Sequence, residues 1–168
     1  MTERSPVDLA EVVEHVLRLM AGAAAEAKVA VRSTTGAAPT SSDPVLLERL
    51  TQNLVENAIR HNLPADGWLS AETSTDRSAL LVVCNSGPAV PKYEVETLFQ
   101  PFRRLHGERI GRERSFGLGL SIVRAVATAH GGNVAAEPQP EGGLTVTVTL
   151  PLPPVPSADG DAPARAAR

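Results

Sequence analysis

The sequence is poor in aromatic residues, in cysteine and in long apolar runs. Aromatic residues make up 3% of its 168 residues and hydrophobic residues 42%, so a core must be built mainly from Leu, Val, Ile and Ala. The single cysteine, Cys84, excludes an internal disulfide and favours a reducing compartment. No apolar run approaches the roughly 20 residues that span a bilayer, and charges interrupt the N-terminal stretch, unlike a signal peptide. We expect a cytoplasmic chain without membrane contact of its own, an expectation that includes the cytoplasmic part of a membrane-anchored protein.

The chain also lacks a basic excess. Its formal net charge is −3, which gives no electrostatic reason to expect nucleic-acid binding. The length fits one domain with appendages, which we place at residues 8–150 after a linker remnant at 1–7. Pro, Ala and Asp dominate residues 151–168, and such a tail buries too little apolar surface to offset its ordering entropy. We predict that this tail is disordered.

Apolar periodicity predicts three helices, at residues 8–27, 44–62 and 119–130. Asp43 and Pro44 are residue types preferred at a helix start. Runs rich in β-branched and apolar residues predict strands at 29–35, 68–73, 79–84, 134–137 and 144–150. This mixed order favours an α/β (α+β) two-layer sandwich, in which helices cover one mixed sheet.

The stretch NLVENAIRHN places two asparagines on one face of the second predicted helix. Asn53 and Asn57 lie four residues apart, one turn above each other, although Asn prefers caps and turns. A carboxamide oxygen suits Mg²⁺, which takes few protein ligands beside phosphates. Arg60 offers a charged donor to a phosphate, and His61 either stacks on a base or caps the helix. Alternatively, the amides bond to neighbouring backbone and Glu56 merely pairs with Arg60 on the surface.

Two further stretches have the residue types of a nucleotide site. In VVCNSGPAVP, Asn85 begins a turn after a buried strand, and its side chain has the donor and acceptor needed to read an adenine edge; the alternative is a plain turn. In SFGLGLSIVRAVATAHGG, Gly117 and Gly119 precede an apolar helix, whose free N–H groups favour anions. The alternative is a flexible loop. No Gly-Lys-Ser/Thr follows, so this is not a P-loop.

Taken together and in this order, these stretches resemble the catalytic ATP-binding domain of a two-component sensor histidine kinase. That domain belongs to the superfamily shared with gyrase, heat-shock chaperone ATPases and mismatch-repair ATPases. NLVENAIRHN resembles the family's asparagine box, VCNSGPAVP its first glycine box, LFQPFRRL its phenylalanine box and SFGLGLSIVRAVATAHGG its second glycine box. The resemblance covers about residues 6–150 and implies the left-handed βαβ sandwich of Bergerat type, with ATP and Mg²⁺ as cofactors.

The resemblance also implies roles for the asparagine box. Asn57 is the expected Mg²⁺ ligand, and Asn53 lies beside the triphosphate one turn earlier. Arg60 is expected to contact phosphate, and His61 to lie near the nucleotide. Glu56, beside the metal ligand, is the candidate base or polariser in the hydrolysis or transfer step, and Asn53 is the candidate that orders metal-bound water for catalysis.

The other boxes imply base recognition and a lid. Asn85 is expected to read the adenine amine, and Gly87 to let the base approach. Phe99 and Phe102 are expected to anchor a mobile lid over residues 103–116, whose Arg-, Glu- and Gly-rich composition suits a loop. The second glycine box is expected to wrap the phosphates with Phe116, Gly117, Leu118, Gly119 and Leu120.

The chain departs from the family pattern in three residues and in one missing motif. Asn85 replaces the usual aspartate, Ala89 the usual second glycine, and Ser115 a glycine before Phe116. We expect the loss of the carboxylate charge at Asn85 to weaken nucleotide binding without abolishing it, and Ser115 to stiffen one end of the lid. None of the histidines, His15, His61, His106 and His130, lies in a phosphoacceptor motif.

The resemblance therefore implies transfer of the γ-phosphoryl group to a histidine outside this chain segment. Its carrier is a helical-hairpin phosphoacceptor domain, in the full-length chain or in a partner protein, and a response regulator follows indirectly. Two alternatives remain: a serine kinase of the anti-sigma-factor type, and a non-catalytic regulatory domain that binds nucleotide weakly or not at all.

Overall fold

The computed structural model describes residues 3–100 and 116–155. The helices are α1 (Leu9–Glu26), α2 (Pro44–Arg60), the short α3 (Lys92–Val95) and α4 (Phe116–Ala129), and a 3₁₀ turn covers Glu96–Phe99. The strands are β1 (Ser5–Asp8), β2 (Val29–Thr35), β3 (Pro39–Ser42), β4 (Gly67–Thr75), β5 (Ala79–Asn85), β6 (Asn133–Pro138) and β7 (Leu144–Leu150).

Five of the strands form one mixed sheet. Their order is β2-β4-β5-β7-β6, with β2 parallel to β4 and every other pair antiparallel. Buried and half-buried residues alternate strictly along β5 and β7, so one face of the sheet is covered and the other is more open. The three long helices supply the cover, and α2 lies between α1 and α4. The predicted two-layer α/β sandwich is confirmed.

The core is aliphatic, as the scarcity of aromatic residues requires. Among the described residues Phe99 is the one aromatic side chain in the buried hydrophobic set. The rest of that set is Leu, Val, Ile and Ala, and its largest fully buried members include Leu9, Leu47, Leu54 and Leu81. Within residues 3–100 and 116–155, no helix combines the length and apolarity needed to cross a membrane.

Aspartates begin the first two long helices. Asp43 accepts hydrogen bonds from the backbone N–H groups of Val45 and Leu46 at 2.9 and 3.2 Å, which confirms the predicted N-cap of α2. Asp8 caps α1 by accepting from Ala10 N and also accepts from Ala38 N, both at 2.9 Å. One carboxylate thus fixes the start of α1 and a distant loop.

Two features differ from the sequence-based expectations. Strands β1 and β3 form an antiparallel ribbon, although residues 5–7 were expected in a linker and Pro39–Ser42 has no apolar alternation. Helix α4 begins at Phe116, three residues before the expected start at Gly119, so both glycines lie in its first turn. The predicted lid residues 103–115, Phe102, Ser115 and the tail from residue 156 lie outside the described residues.

Candidate functional site

Helices α2 and α4 run antiparallel, and this brings the motifs to one end of the helical layer. The Asp43 N–H, at the start of α2, donates to Nε2 of His130, just after α4, at 3.2 Å. Asn57 is 14 residues after Asp43, and Phe116 is 14 residues before His130. At 1.5 Å per residue both lie about 21 Å from that contact. Asn57, and Asn53 one turn before it, therefore lie toward the same end of the helical layer as the first turn of α4.

The side-chain amides of Asn53 and Asn57 are half-buried beside the packed face of α2. They make no hydrogen bond to any residue in the described part of the chain. The alternative in which these amides satisfy neighbouring backbone is therefore not what the fold contains. No side-chain nitrogen or oxygen atom of the described residues is both buried and unpaired, so these two amides are open to solvent. Their donors and acceptors are therefore accessible to a ligand.

Glu56 and Arg60 form an ion pair on the same side of α2. Glu56 Oε1 and Arg60 Nη2 are 2.7 Å apart at i,i+4 spacing, as the surface-pair alternative predicted. The Arg60 side chain is 42% exposed and that of Glu56 34%, so the pair contributes little to stability. Its effect is to hold the guanidinium, a bidentate phosphate donor, close to Asn57.

His61 follows the last turn of α2 and is half-buried. Burial and, as the smaller cause, the positive charge of Arg60 lower the pKa of its imidazole from 6.5 to about 4. His61 is therefore neutral at pH 7 and adds no charge beside the asparagines. A neutral ring in this place suits contact with an uncharged base better than contact with phosphate.

Asn85 ends β5 on the helix-facing side of the sheet and is buried. Its Nδ2 donates to Ser86 O at 2.8 Å and lies 3.5 Å from His61 O. These two carbonyl acceptors fix the orientation of the amide. Its Oδ1 has no hydrogen-bond donor among the described residues and is free to accept one, so Asn85 retains the acceptor function expected for an adenine amine.

The turn that follows Asn85 packs closely against the end of α2 and against the β6–β7 hairpin, and glycines allow both contacts. A Cβ on Gly87 would collide with His61 O, so glycine lets this turn contact the end of α2. Gly142 and Gly143, with φ of +103° and +94°, lie in the β6–β7 hairpin, where a Cβ on Gly143 would collide with Asn85 O. Gln139 Nε2 donates to that same oxygen at 2.7 Å. A Gly-Gly pair between two strands indicates a tight turn, but spacing along the chain does not reveal that this hairpin contacts Asn85.

The second glycine box forms the N-terminal turn of α4. No atom of the described residues lies within 4 Å of the place where a Cβ on Gly119 would stand, whereas Leu120 is buried in the core. The free N–H groups of a helix start favour an anion. The side chains of Phe116 and Leu118 lie outside the described part of the structure, so their expected contacts with phosphate stay predictions. Phe99 is buried, with the Arg124 guanidinium 4.9 Å from its ring centroid.

The amino-acid sequence of this chain matches a known family profile. It is described as Histidine kinase-, DNA gyrase B-, and HSP90-like ATPase, and it matches residues 42–154. The chain belongs to this ATPase family. The match runs from the N-cap of α2 to the end of β7 and so contains each of the motif stretches described above.

Two curated relatives of this chain are named as sensor proteins. Sensor protein CutS of Streptomyces coelicolor is 49% identical over 147 residues, which are 87% of this chain and 36% of CutS. Sensor protein KdpD of Mycobacterium tuberculosis is 37% identical over 118 residues, 69% of this chain and 13% of KdpD. The chain thus spans about a third or less of the length of these curated relatives.

A solved structure agrees with this family assignment. The mycobacterial sensor histidine kinase MprB has a TM-score of 0.77 at 26% identity, with 90% of this chain and 100% of that chain covered. The resemblance to the ATP-binding domain of histidine kinases and the Bergerat-type fold are confirmed. The roles of individual site residues of this ATPase domain stay predictions.

Proposed function

We propose that this ATPase-family domain binds Mg-ATP and donates the γ-phosphoryl group to a histidine on a separate helical-hairpin domain. One observation carries the proposal: the half-buried amides of Asn53 and Asn57, without protein partners among the described residues, lie at the same end of the helical layer as the glycine-containing first turn of α4. In this proposal, the group that binds the adenine base and the groups that bind the phosphates lie at one end of the helical layer. Similar proteins support histidine as the phosphoryl acceptor, because some of them are named as sensor histidine kinases.

The donor set fits magnesium. Within residues 3–100 and 116–155 no group of three or more His, Cys, Asp or Glu side chains is arranged to hold a metal ion. An amide oxygen of Asn57, supplemented by phosphate oxygens and water, is the sparse protein ligation that Mg²⁺ accepts. When bound, Mg²⁺ supplies charge neutralisation to the triphosphate.

The remaining residues of the proposed site bind and orient the nucleotide. Arg60 donates to a phosphate, and Asn53 lies beside the triphosphate, one turn before Asn57. Glu56 keeps Arg60 in place through the 2.7 Å ion pair and polarises the transfer site. Oδ1 of Asn85 accepts from the base amine. The amides of the α4 start bind phosphate oxygens. Phosphoryl transfer of this kind depends on alignment and electrostatics more than on covalent chemistry by the protein.

The partners follow from the same proposal. The phosphoacceptor hairpin belongs to the full-length chain or to a partner protein, and a response regulator receives the phosphoryl group from it. We further propose that the domain acts in the cytoplasm, where ATP is available. The fold neighbour ShkA was solved with AMPPNP at 22% identity, and this motivates the choice of that analogue as a probe.

Calorimetry tests the binding step. We expect ADP and AMPPNP to bind wild-type protein, more tightly with Mg²⁺ than without it. Asn57→Ala is expected to remove the magnesium dependence. Gln52→Ala is the matched control, because Gln52 is an exposed amide on another face of the same helix, and it should bind like the wild type. No binding at millimolar nucleotide would contradict the proposal and favour the regulatory-domain alternative.

Acid stability of the product tests the transfer step. The protein is mixed with labelled ATP and either a histidine-bearing helical hairpin or a serine-bearing anti-sigma partner. We expect label on the hairpin that is lost in acid, as a phosphorylated imidazole nitrogen requires. Acid-stable label on the serine protein alone would refute the histidine-kinase proposal in favour of the anti-sigma-type alternative.

A further inference from the structure

Asn62, two residues after α2, has every hydrogen-bonding position of its side-chain amide occupied. Nδ2 donates to Ala58 O at 3.0 Å and to Trp68 O at 2.9 Å. Oδ1 accepts from Leu63 N at 2.8 Å and from Ser86 Oγ at 2.6 Å. An amide has two donor hydrogens and two acceptor lone pairs, so this side chain is fully used.

Two of these bonds reach beyond the helix end. A bond to Ala58 O or Leu63 N is what a helix-capping side chain makes. Trp68 is the second residue of β4, and Ser86 directly follows Asn85, 24 residues away from Asn62 along the chain. Ser86 Oγ also accepts from Trp68 N at 2.8 Å. Asn62 therefore joins the end of α2 to the turn that carries Asn85.

Gly67 shows how closely this amide is enclosed. A Cβ on Gly67 would collide with Oδ1 of Asn62, so the sheet backbone packs directly against the oxygen that holds Ser86. The turn also has support of its own, because Gln139 donates to Asn85 O at 2.7 Å and Gly143 N to Pro88 O at 3.0 Å. Loosening Asn62 therefore shifts the turn relative to α2 without dissolving the turn.

We propose that Asn62 is a positioning residue that fixes the spacing between the phosphate-side amides of α2 and the base-reading Asn85. The inference rests on the proposed nucleotide site and adds to it a residue that touches no ligand. A ligand that spans both halves gains affinity when the halves are held at the right separation in advance. A fragment that contacts one half gains nothing from that separation.

The test compares Mg-ADP with adenosine in Asn62→Asp. The carboxylate keeps the two acceptor bonds and loses both donor bonds, so it faces the carbonyl oxygens of Ala58 and Trp68. We expect affinity for Mg-ADP to fall tenfold or more (about 1.4 kcal/mol per factor of ten). Affinity for adenosine, followed by NMR titration of the folded protein, is expected to change less than twofold. Gly67→Ala displaces the same amide while leaving Asn62 unchanged and should give the same pattern, which protects the test against one variant that fails to fold.

Three results would overturn the inference. Equal losses for Mg-ADP and adenosine would mean that Asn62 supports the base turn alone. Unchanged affinity for both would mean that it only caps α2. Absence of Mg-ADP binding to the wild type would remove the proposed function itself, and this failure is recognised without any variant.

Discussion

Gly22 and Gly119 both lie in helices, and at both positions the space that a Cβ would take is open. Apart from the adjacent residues and the nearby backbone of the same helix, no atom of the described residues lies within 4 Å of either position. A glycine inside a helix costs roughly 0.5–1 kcal/mol relative to alanine. Gly22→Ala and Gly119→Ala should therefore each raise the free energy of unfolding by up to about that amount.

The two substitutions should differ in nucleotide binding. Gly22 lies in α1, which packs on the other side of α2 from α4, whereas Gly119 lies in the first turn of α4 beside the proposed phosphate position. A methyl group there would stand where phosphate oxygens approach the backbone amides. We expect Gly119→Ala to weaken Mg-ADP binding at least tenfold, about 1.4 kcal/mol, and Gly22→Ala to leave it unchanged.

Urea unfolding and calorimetry on the same samples provide the assay. The expected result is a rise in stability for both variants and a loss of binding for Gly119→Ala alone. If Gly119→Ala bound Mg-ADP as tightly as Gly22→Ala does, the start of α4 would not be the phosphate site. If Gly119→Ala lowered the free energy of unfolding, the claim that a Cβ at this position has room would be refuted. A loss of binding by that variant would then carry no information about the phosphate site.

Three further predictions concern stability. Gly143→Ala should lower the free energy of unfolding by about 2–4 kcal/mol in urea titration, because a Cβ there meets Asn85 O at a φ of +94°; a loss below about 0.5 kcal/mol would contradict this. The folded-state pKa of His61, about 4, is below its unfolded value of 6.5, so the unfolded state binds the extra proton and stability should fall by up to about 3 kcal/mol from pH 7 to pH 4. The fall is measured against His61→Gln, and parallel pH profiles would refute it. Glu56→Gln should change stability by less than about 0.5 kcal/mol, because its pair with Arg60 is exposed; a larger loss in thermal unfolding would show that the pair is structural.

Local patterns in the sequence were sufficient to predict most of the fold. The stripes of Leu and Val that define α1 and α2 have the helical period, and Asp43 is a recognisable cap. The alternating Thr and Val of β7 predict a half-buried strand in the same way. Strands β1 and β3 escaped prediction because their pairing is set by register between distant segments, and PTSS contains no apolar alternation.

The residue types of the candidate site could be predicted from the sequence, but the hydrogen bonds that join its parts could not. Asn53 and Asn57 stood out because Asn prefers caps and turns to the face of a helix, and Asn85 because it directly follows a buried strand. Asn62 was part of the same stretch, yet its role depends on partners 6 and 24 residues away, which spacing along a helix does not reveal. The start of α4 was placed too late because glycine is a poor helix former, whereas the fold continues the helix through both glycines.

Magnesium-dependent nucleotide binding by the wild type and by Asn57→Ala tests the central claim most directly. If Asn57 holds the metal, calorimetry with ADP will show tighter binding with Mg²⁺ for the wild type and equal, weaker binding with and without Mg²⁺ for the variant. Wild-type binding that ignores Mg²⁺, or a variant that retains the full magnesium effect, would contradict the account of why two asparagines share this helix face.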